Sequence, residues 1–477
     1  MSNDKKDTFQ KALQINLDPA KYGAFAEIGA GQEVARWFFQ VGGAAGTVAK
    51  TISAYDMSVS DAIYGTADRY VSRQRLQAML DYEFKLLIGQ LDKTRGDKST
   101  FFVFADTVAT RSYTRKDDGQ GWLGVRFQSK PHERPSEIII HVKLLDAEYI
   151  REQEALGIIG VNLIHSAFYL NSAPTQIIAA LSDNLTPGRF EVDMIKFSGP
   201  AFAGVDNRLM ALQLVEKGLT DATMFTANGE AVIPSELLYK KPVLIQRGSF
   251  RPLTNPMLDM LDRAQEQFLK QESLKGEAPV VMFEMTLRQL QIGDAIDHGD
   301  FLDRVDTLSA LGKPVLISNF LRFHKLLIYL SKHTQKPIGL PIGLVRLRDV
   351  LDEKFYTDLP GGLLESLGHL FKNGAKLYVY PSRDKKTGQI TTVENLEVAP
   401  HLRHLYAHLV ENRFVESIPN YKPEYLGIYS SLVLDKIHAG DDTLEQLVPP
   451  PIFQVIKQKR LFGWGEQAES PQPAMAH

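Results

Sequence analysis

Between residues 190 and 380 the chain repeats one pattern, a short unbroken apolar run followed by a stretch of helical character. Arg189 to Phe197 and Ala222 to Thr226 read as strands, and the apolar runs are Pro242-Val243-Leu244-Ile245, Pro279-Val280-Val281-Met282-Phe283, Pro314-Val315-Leu316-Ile317 and Lys376-Leu377-Tyr378-Val379-Tyr380. They are too short for helices and show no alternation, which is the signature of strands buried on both faces of a parallel sheet. The spacing therefore predicts an α/β fold, a Rossmann-like and mostly parallel sheet. The pentapeptide Lys-Pro-Val-Leu-Ile occurs twice, at 241–245 and 313–317. Both copies put proline where a strand begins, a place that needs no ladder donor. Two strands in equivalent environments are expected. Ligands in such sheets bind at the carboxyl ends of the strands, so the segments after Ile245 and Ile317 matter most.

The rest of the chain is organised around this domain, which is expected over 189–395. Residues 1–95 read as helical. In Ser72 to Leu91 the residues Leu76, Met79, Leu80, Phe84, Leu87 and Leu91 recur at three- and four-residue spacing. Residues 96–188 read as an antiparallel β insert, with strands near Phe101–Ala105, Trp122–Gln128 and Glu137–Val142, followed by a helix from about Asp146 to Tyr169. Residues 396–460 read as a helical C-terminal region and 461–477 as a disordered tail without a core-forming pattern.

Composition closes off several chemistries. There is no cysteine among the 477 residues, which excludes disulfides, iron–sulfur clusters, thiolate zinc sites and thiol nucleophiles. Lys and Arg number 54 against 57 Asp and Glu, a net charge of −3 that argues against nucleic-acid binding by bulk charge. No apolar stretch reaches the ~18 residues of a membrane span and the start lacks a signal-type apolar segment. A cytoplasmic protein without a membrane partner is expected.

After the strand at 241–246 comes Arg247-Gly248-Ser249-Phe250-Arg251-Pro252-Leu253-Thr254-Asn255-Pro256-Met257-Leu258. A glycine at a strand end lets backbone approach a phosphate, and a helix starting near Thr254 turns free N–H groups and its dipole towards an anion. The segment resembles the phosphate-binding motif of the nicotinamide and nicotinate mononucleotide adenylyltransferase family, Gly-Ser/Thr-Phe-x-Pro-x-Thr/His-x-x-His-Leu. The match covers Gly248, Ser249, Phe250, Pro252, Thr254 and Leu258. The chain as a whole is also similar to a family of bacterial and plant-type proteins that carries this adenylyltransferase label. The resemblance implies a nucleotide as small-molecule partner, ATP and Mg²⁺ as cofactors, and nucleotidyl transfer from ATP. It places Gly248, Ser249, Phe250 and Thr254 at the phosphates and makes Arg247 or Arg251 the charge stabiliser. The family's second histidine falls on Met257, whose thioether neither donates a hydrogen bond nor carries charge. A second family signature, Ile-Ser-x-Thr-x-x-Arg, has its counterpart in Ile317-Ser318-Asn319-Phe320-Leu321-Arg322, which makes Ser318 a further candidate. There Phe320 stands for the threonine and the arginine comes one residue early, a rotation of about 100° on a helix.

Two readings stay open. One is a nucleotidyltransferase-like enzyme. The other is a nucleotide sensor or a non-catalytic, self-associating scaffold, suggested by Met257, the long terminal regions and the aromatics Trp37, Phe38, Phe39 and Trp464. Other constellations have plainer explanations. Gly42 to Thr51 lacks P-loop spacing and reads as small residues at a helix contact. Glu27 to Gln32 reads as a glycine turn without a preceding strand. Arg111, Arg115, Arg126, His132 and Arg134 read as a solvated sheet face. His401, His404 and His408 share a helical face but spread over about 10 Å, too far for one ion. Asp294, Asp297, His298, Asp300 and Asp303 offer Mg²⁺ ligands, with Asp300 read as a helix cap. Pro360-Gly361-Gly362 reads as a turn into a helix.

Overall fold

The structure is a computed structural model that describes residues 6–111 and 119–466. The chain forms two compact units, one ending at Thr223 and the other beginning at Met224. The first contains α1 (Thr8–Asn16), β1 (Lys21–Ile28), α2 (Glu33–Gln40), β2 (Val48–Ile52), α3 (Met57–Tyr64), α4 (Arg73–Arg95), β3 (Thr100–Ala109), β4 (Gly119–Phe127), β5 (Ser136–Leu144), α5 (Tyr149–Tyr169), α6 (Pro174–Ala180), β6 (Phe190–Ser198) and α7 (Asn207–Glu216). Its sheet has the order β2-β1-β3-β4-β5-β6. Strands β2, β1 and β3 are parallel and β3 to β6 antiparallel.

The N-terminal region is thus not all helical, because β1 and β2 form the parallel part of this sheet. Strand β1 reads Tyr-Gly-Ala-Phe-Ala-Glu, and its small residues hide its strand character from periodicity. Gly23 is required there, since a Cβ would lie 2.4 Å from the Phe102 ring. The Arg189–Phe197 run forms β6, but it pairs with β5 rather than with the Rossmann-like sheet. The long helix α4 is as the spacing predicts. Ser72 caps it by accepting from the Arg75 N–H, and Leu76, Met79, Leu80, Phe84 and Leu87 are buried. Helix α5 is buried nearly all round, the expected state of a helix apolar on every face.

The glycine turn after β1 does follow a strand, contrary to expectation, and leads into α2. Its helix terminus is filled from within the chain. The Glu27 carboxylate accepts from the Val34 and Ala35 N–H groups at 2.9 Å each, where an anion would otherwise sit. Glu27 lies in register with Asp106 on β3. Burial, with the nearby Glu33 charge, raises Glu27 to about 7 against the pull of the Ala35 and Val34 N–H groups. Burial and the Glu27 charge push Asp106 well above the ordinary carboxylate range. An acid raised on folding contributes stability below its unfolded value of ~4, and that stability is lost as pH rises through the folded value. Asp106→Asn is therefore expected to raise the urea midpoint of the first unit at pH 8.5 by about 1–2 kcal/mol equivalent and to change it little at pH 4. An equal change at both pH values would show that the pair does not titrate.

The second unit contains β7 (Ala222–Phe225, at the junction), β8 (Ala231–Val232), α8 (Pro234–Leu238), β9 (Val243–Arg247), α9 (Asn255–Phe268), β10 (Val280–Thr286), α10 (Leu287–Leu290), β11 (Gln291–Ile292), β12 (Ala295–Ile296), α11 (His298–Ser309), β13 (Val315–Ser318), α12 (Phe323–His333), β14 (Ile338–Gly343), α13 (Leu344–Leu351), α14 (Gly362–Leu370), β15 (Lys376–Tyr380), β16 (Ser382–Arg383), β17 (Ile390–Thr391), α15 (Arg403–Glu411), β18 (Val415–Ser417), α16 (Ser430–Ala439) and α17 (Pro450–Lys459). The sheet order is β18-β15-β14-β9-β10-β13-β7-β8. The six strands from β18 to β13 run parallel. Strands β10 and β13 follow β9 on one side, and β14, β15 and β18 follow on the other. This is the doubly wound Rossmann-like arrangement, and its topological switch point lies between β9 and β14.

The repeated pentapeptide opens β9 and β13, which flank β10. The carbonyls of Pro242 and Pro314 accept from the Val280 and Phe283 N–H groups of β10 at 2.8 and 3.0 Å. Proline thus keeps its acceptor in the ladder while lacking only a donor. The C-terminal region is not purely helical, since β18 joins the sheet edge. Of the tail expected to be disordered, Leu461 to Gly463 form a short 3₁₀ turn with Leu461 and Phe462 buried. Residues 467–477 lie outside the described residues.

Candidate nucleotide site

Strand β9 ends on Arg247, in register with Glu284 of β10. Parallel neighbours in register share a face, so the two side chains meet. The Arg247 Nε and Nη2 donate to the two Glu284 oxygens at 2.7 and 2.8 Å, a bidentate pair with Glu284 fully buried and the Arg247 side chain 7% exposed. Ser318, at the end of β13, donates its hydroxyl to the same carboxylate at 2.6 Å. The guanidinium also lies 4.6 Å over the Phe323 ring. The carboxylate and the ring together fix its position.

The glycine turn follows. Gly248 is held to the sheet by its N–H bond to the Glu284 carbonyl at 3.1 Å. Phe250 adopts a positive φ of 47° and turns its ring back beneath the turn, edge-on to Phe283 at 5.0 Å. A Cβ at Gly248 would stand 2.8 Å from that ring, so only glycine fits. Buried Arg304 donates to the Ser249 carbonyl at 3.0 Å and to the Gln289 carbonyl at 2.8 Å, while its Nε donates to Asp300 at 2.6 Å. Arg251 pairs with the other oxygen of Asp300. Helix α11 begins one residue after Asp297, whose carboxylate accepts from the Gly299 and Asp300 N–H groups. The cap is thus Asp297 and not Asp300, which serves the arginine pair.

At the start of α9, Thr254 is buried and its side chain makes no capping bond. The Asn255 N–H donates to the Leu447 carbonyl at 2.9 Å, those of Met257 and Leu258 to Thr254, and Pro256 has none. The first turn of this helix is therefore closed by protein carbonyls. Helix α12 differs. Its cap residue Arg322 makes no side-chain capping bond, and Leu321, Arg322 and Phe323 border a cavity of about 560 Å³.

That cavity lies at the carboxyl ends of the parallel strands. Four arginines reach it, Arg247, Arg288, Arg322 and Arg346, with Phe323, Phe355 and Tyr356 as aromatic wall and Asp349 as its acid. Of the residues singled out in the sequence, Arg247 borders the cavity and Ser318 acts behind it through Glu284. Phe250 and Thr254 are buried, and Gly248, Ser249 and Arg251 border the turn rather than the cavity. Met257 stands in the closed first turn of α9. The Ile317–Arg322 segment does end at the cavity, although it follows the third parallel strand in sequence. Glu284, Arg288, Arg304 and Arg346 escaped sequence reasoning. A lone acid inside the apolar run Val280–Thr286 was a signal for Glu284, and the i, i+4 spacing of Asp300 and Arg304 for their pair. Nothing marked Arg288 or Arg346.

A second hollow of about 650 Å³ lies along α15, bordered by Glu394, Glu397, Glu411 and Arg403. Its excess of carboxylates suits no anion. Among the described residues no group of three or more His, Asp or Glu could hold a metal ion. Asp303 accepts from the Phe462 N–H at 2.6 Å, His401 faces Glu353 at 2.9 Å, and Asp349 is paired with Arg346 at 2.8 Å. Among the described residues the side chains do not compose a Mg²⁺ site. The basic residues beside the first sheet are paired as well, Arg126 with Asp81 and Glu137, His132 with Asp92 and Asp97, and Arg111 with Glu152. Arg115 lies outside the described residues. Of the aromatics that suggested self-association, Phe38 is buried while Phe39 is exposed.

No protein-family model matches the chain, and no curated sequence is similar to it. Among solved structures it is similar to nicotinic acid mononucleotide adenylyltransferase of Plasmodium falciparum complexed with APC. The identity is 12%, covering 47% of this chain and 98% of that one, with a TM-score of 0.28. It is also similar to the competence/damage inducible protein of Agrobacterium tumefaciens, at 15% identity over 34% and 97% of the two chains with a TM-score of 0.25. A competence-damaged protein (CinA) superfamily protein of Enterobacter cloacae is 10% identical over 35% and 95%, with a TM-score of 0.25. The assignment of a Rossmann-like sheet rests on the strand order and parallel pairing described above. No helix among the described residues is long and apolar enough to cross a membrane.

Proposed function

We propose that the second unit binds a nucleotide, with its phosphates among Arg247, Arg288, Arg322 and Arg346, and that the chain is nucleotidyltransferase-like. The observation that carries this reading is the convergence of four guanidiniums on one cavity at the carboxyl edge of a Rossmann-like sheet. Guanidiniums match phosphate oxygens with paired N–H donors. The volume is within the ~300–1,000 Å³ range of small-molecule sites. In the reaction implied by the motif, a phosphate oxygen of a mononucleotide attacks the α-phosphorus of ATP, and the bond to the β-phosphate oxygen breaks to release pyrophosphate. Charge grows on the oxygens in that step, and fixed cations stabilise it. Arg247 is the held cation nearest the motif. Arg251, engaged with Asp300, is a support of the turn.

Met257 favours a second reading, binding without turnover, because it offers no charge or donor where the motif has histidine. One experiment separates the two. The full chain is incubated with ATP, Mg²⁺ and nicotinate mononucleotide, and both melting temperature and pyrophosphate are measured. ATP at about 100 times its Kd should stabilise by about 2.7 kcal/mol. Stabilisation with pyrophosphate release supports the enzyme, and stabilisation without it supports the sensor. No stabilisation removes the nucleotide reading.

A further inference from the structure

We infer that this cavity reads the polyphosphate chain of its ligand and not the base, so that purine and pyrimidine nucleoside triphosphates are equivalent to it. The inference rests on the nucleotide reading and adds the ligand class. Three observations carry it. First, most non-arginine polar groups at the cavity are already engaged with the protein. The Gln289 side-chain amide oxygen accepts from the Thr286 N–H and hydroxyl at 3.0 and 3.1 Å, and the Gln289 backbone N–H donates back to that hydroxyl at 3.3 Å. Asp349 holds Arg346, and the Tyr356 hydroxyl donates to the Val350 carbonyl at 2.9 Å. A base edge is read by free donors and acceptors of this kind, and a site lacking them discriminates weakly.

Second, each aromatic ring of the wall already carries a cation on a face. Arg247 lies 4.6 Å from the Phe323 centroid, Lys354 4.8 Å from Phe355, and Arg322 5.7 Å from Tyr356. The rings orient cations, which removes stacking surface that a base would use. Third, the cations are prearranged for phosphate. Arg247 is held by Glu284, and Arg322 by Asp358 at 2.6 Å. Each keeps further N–H groups, since a guanidinium has five. Arg288 is exposed and makes no hydrogen bond or ion pair among the described residues, so a phosphate would be its partner.

Calorimetry on the full chain tests this with ATP, GTP, UTP, inorganic tripolyphosphate, AMP and adenosine. The three triphosphates are expected to bind within about threefold of one another, with tripolyphosphate competing for the same site. AMP should bind at least about tenfold more weakly and adenosine not at all. Arg288→Ala, which breaks no contact of the fold, should weaken all three triphosphates by a similar factor of about ten. ATP binding more than about thirtyfold tighter than GTP and UTP, or tripolyphosphate failing to displace ATP, overturns base-blind recognition but leaves the nucleotide reading standing. If neither the triphosphates nor tripolyphosphate bind, both fall.

Discussion

Arg304→Ala is expected to destabilise the second unit by about 3–5 kcal/mol, lowering its melting temperature by on the order of 10 °C. Arg304 is only 2% exposed. It links the turn after β9, through the Ser249 carbonyl, to α10, through the Gln289 carbonyl, and it neutralises Asp300. Alanine leaves two carbonyls without their donor and Asp300 with Arg251 as its remaining arginine, and it empties a large buried volume. Lysine keeps the charge but cannot span three acceptors with a planar fork, so Arg304→Lys should recover less than half of the loss. Differential scanning calorimetry of both variants is the measurement. A loss below about 1 kcal/mol for alanine would mean that the arginine does not anchor the turn.

In the first unit, Asp193→Ala is expected to cost about 3–5 kcal/mol at pH 7. Asp193 of β6 is 1% exposed and meets the His141 Nδ1 at 2.6 Å and the Lys143 ammonium at 3.0 Å, both on β5. Burial alone would push the carboxyl towards a higher pKa, but His141 and Lys143 outweigh burial and hold it well below the usual carboxylate range. An acid depressed on folding contributes stability above its unfolded value, ~4, and that contribution is lost as pH falls through the folded value. Asp193→Asn preserves shape without charge. Its deficit against the parent chain should be constant from pH 5 to 7 and shrink progressively below pH 4, as read by urea unfolding across that range. A deficit independent of pH down to 2 would show that the buried ion pair contributes nothing through charge.

Both effects arise from polar side chains that the fold encloses, and such residues are the least legible in a sequence. Strands β9, β10, β13 and β15 were legible because a parallel sheet is buried on both faces and so writes itself as unbroken apolar runs, whereas β14, interrupted by Gly339 and Pro341, was not. Helix α4 was legible through its apolar spacing. Strand β1 was not, because glycine and alanine there accommodate Phe102 and its neighbours, a requirement of packing that no local pattern expresses. Strand β6 looked like the first strand of the parallel sheet, although Arg189 to Phe197 interleaves polar with apolar residues as antiparallel strands do, with Glu191 and Lys196 half-buried. The site divides in the same way. Arg247 and the Gly248 turn stood out at a strand end, whereas Arg288 and Arg346 reach the cavity only because β10 and β14 flank β9.

Fold class, the lack of thiol chemistry and the strand-to-turn junction at 247–248 are written in the residues alone, since they follow from composition and from local burial patterns. Tertiary structure alone decided that the first turn of α9 is closed by the Leu447 carbonyl and that the cations gather before α12 instead. The physical reason is distance along the chain. Leu447 is far in sequence from the helix it closes, and arginines on four different segments acquire a common field only when strand order brings their ends together.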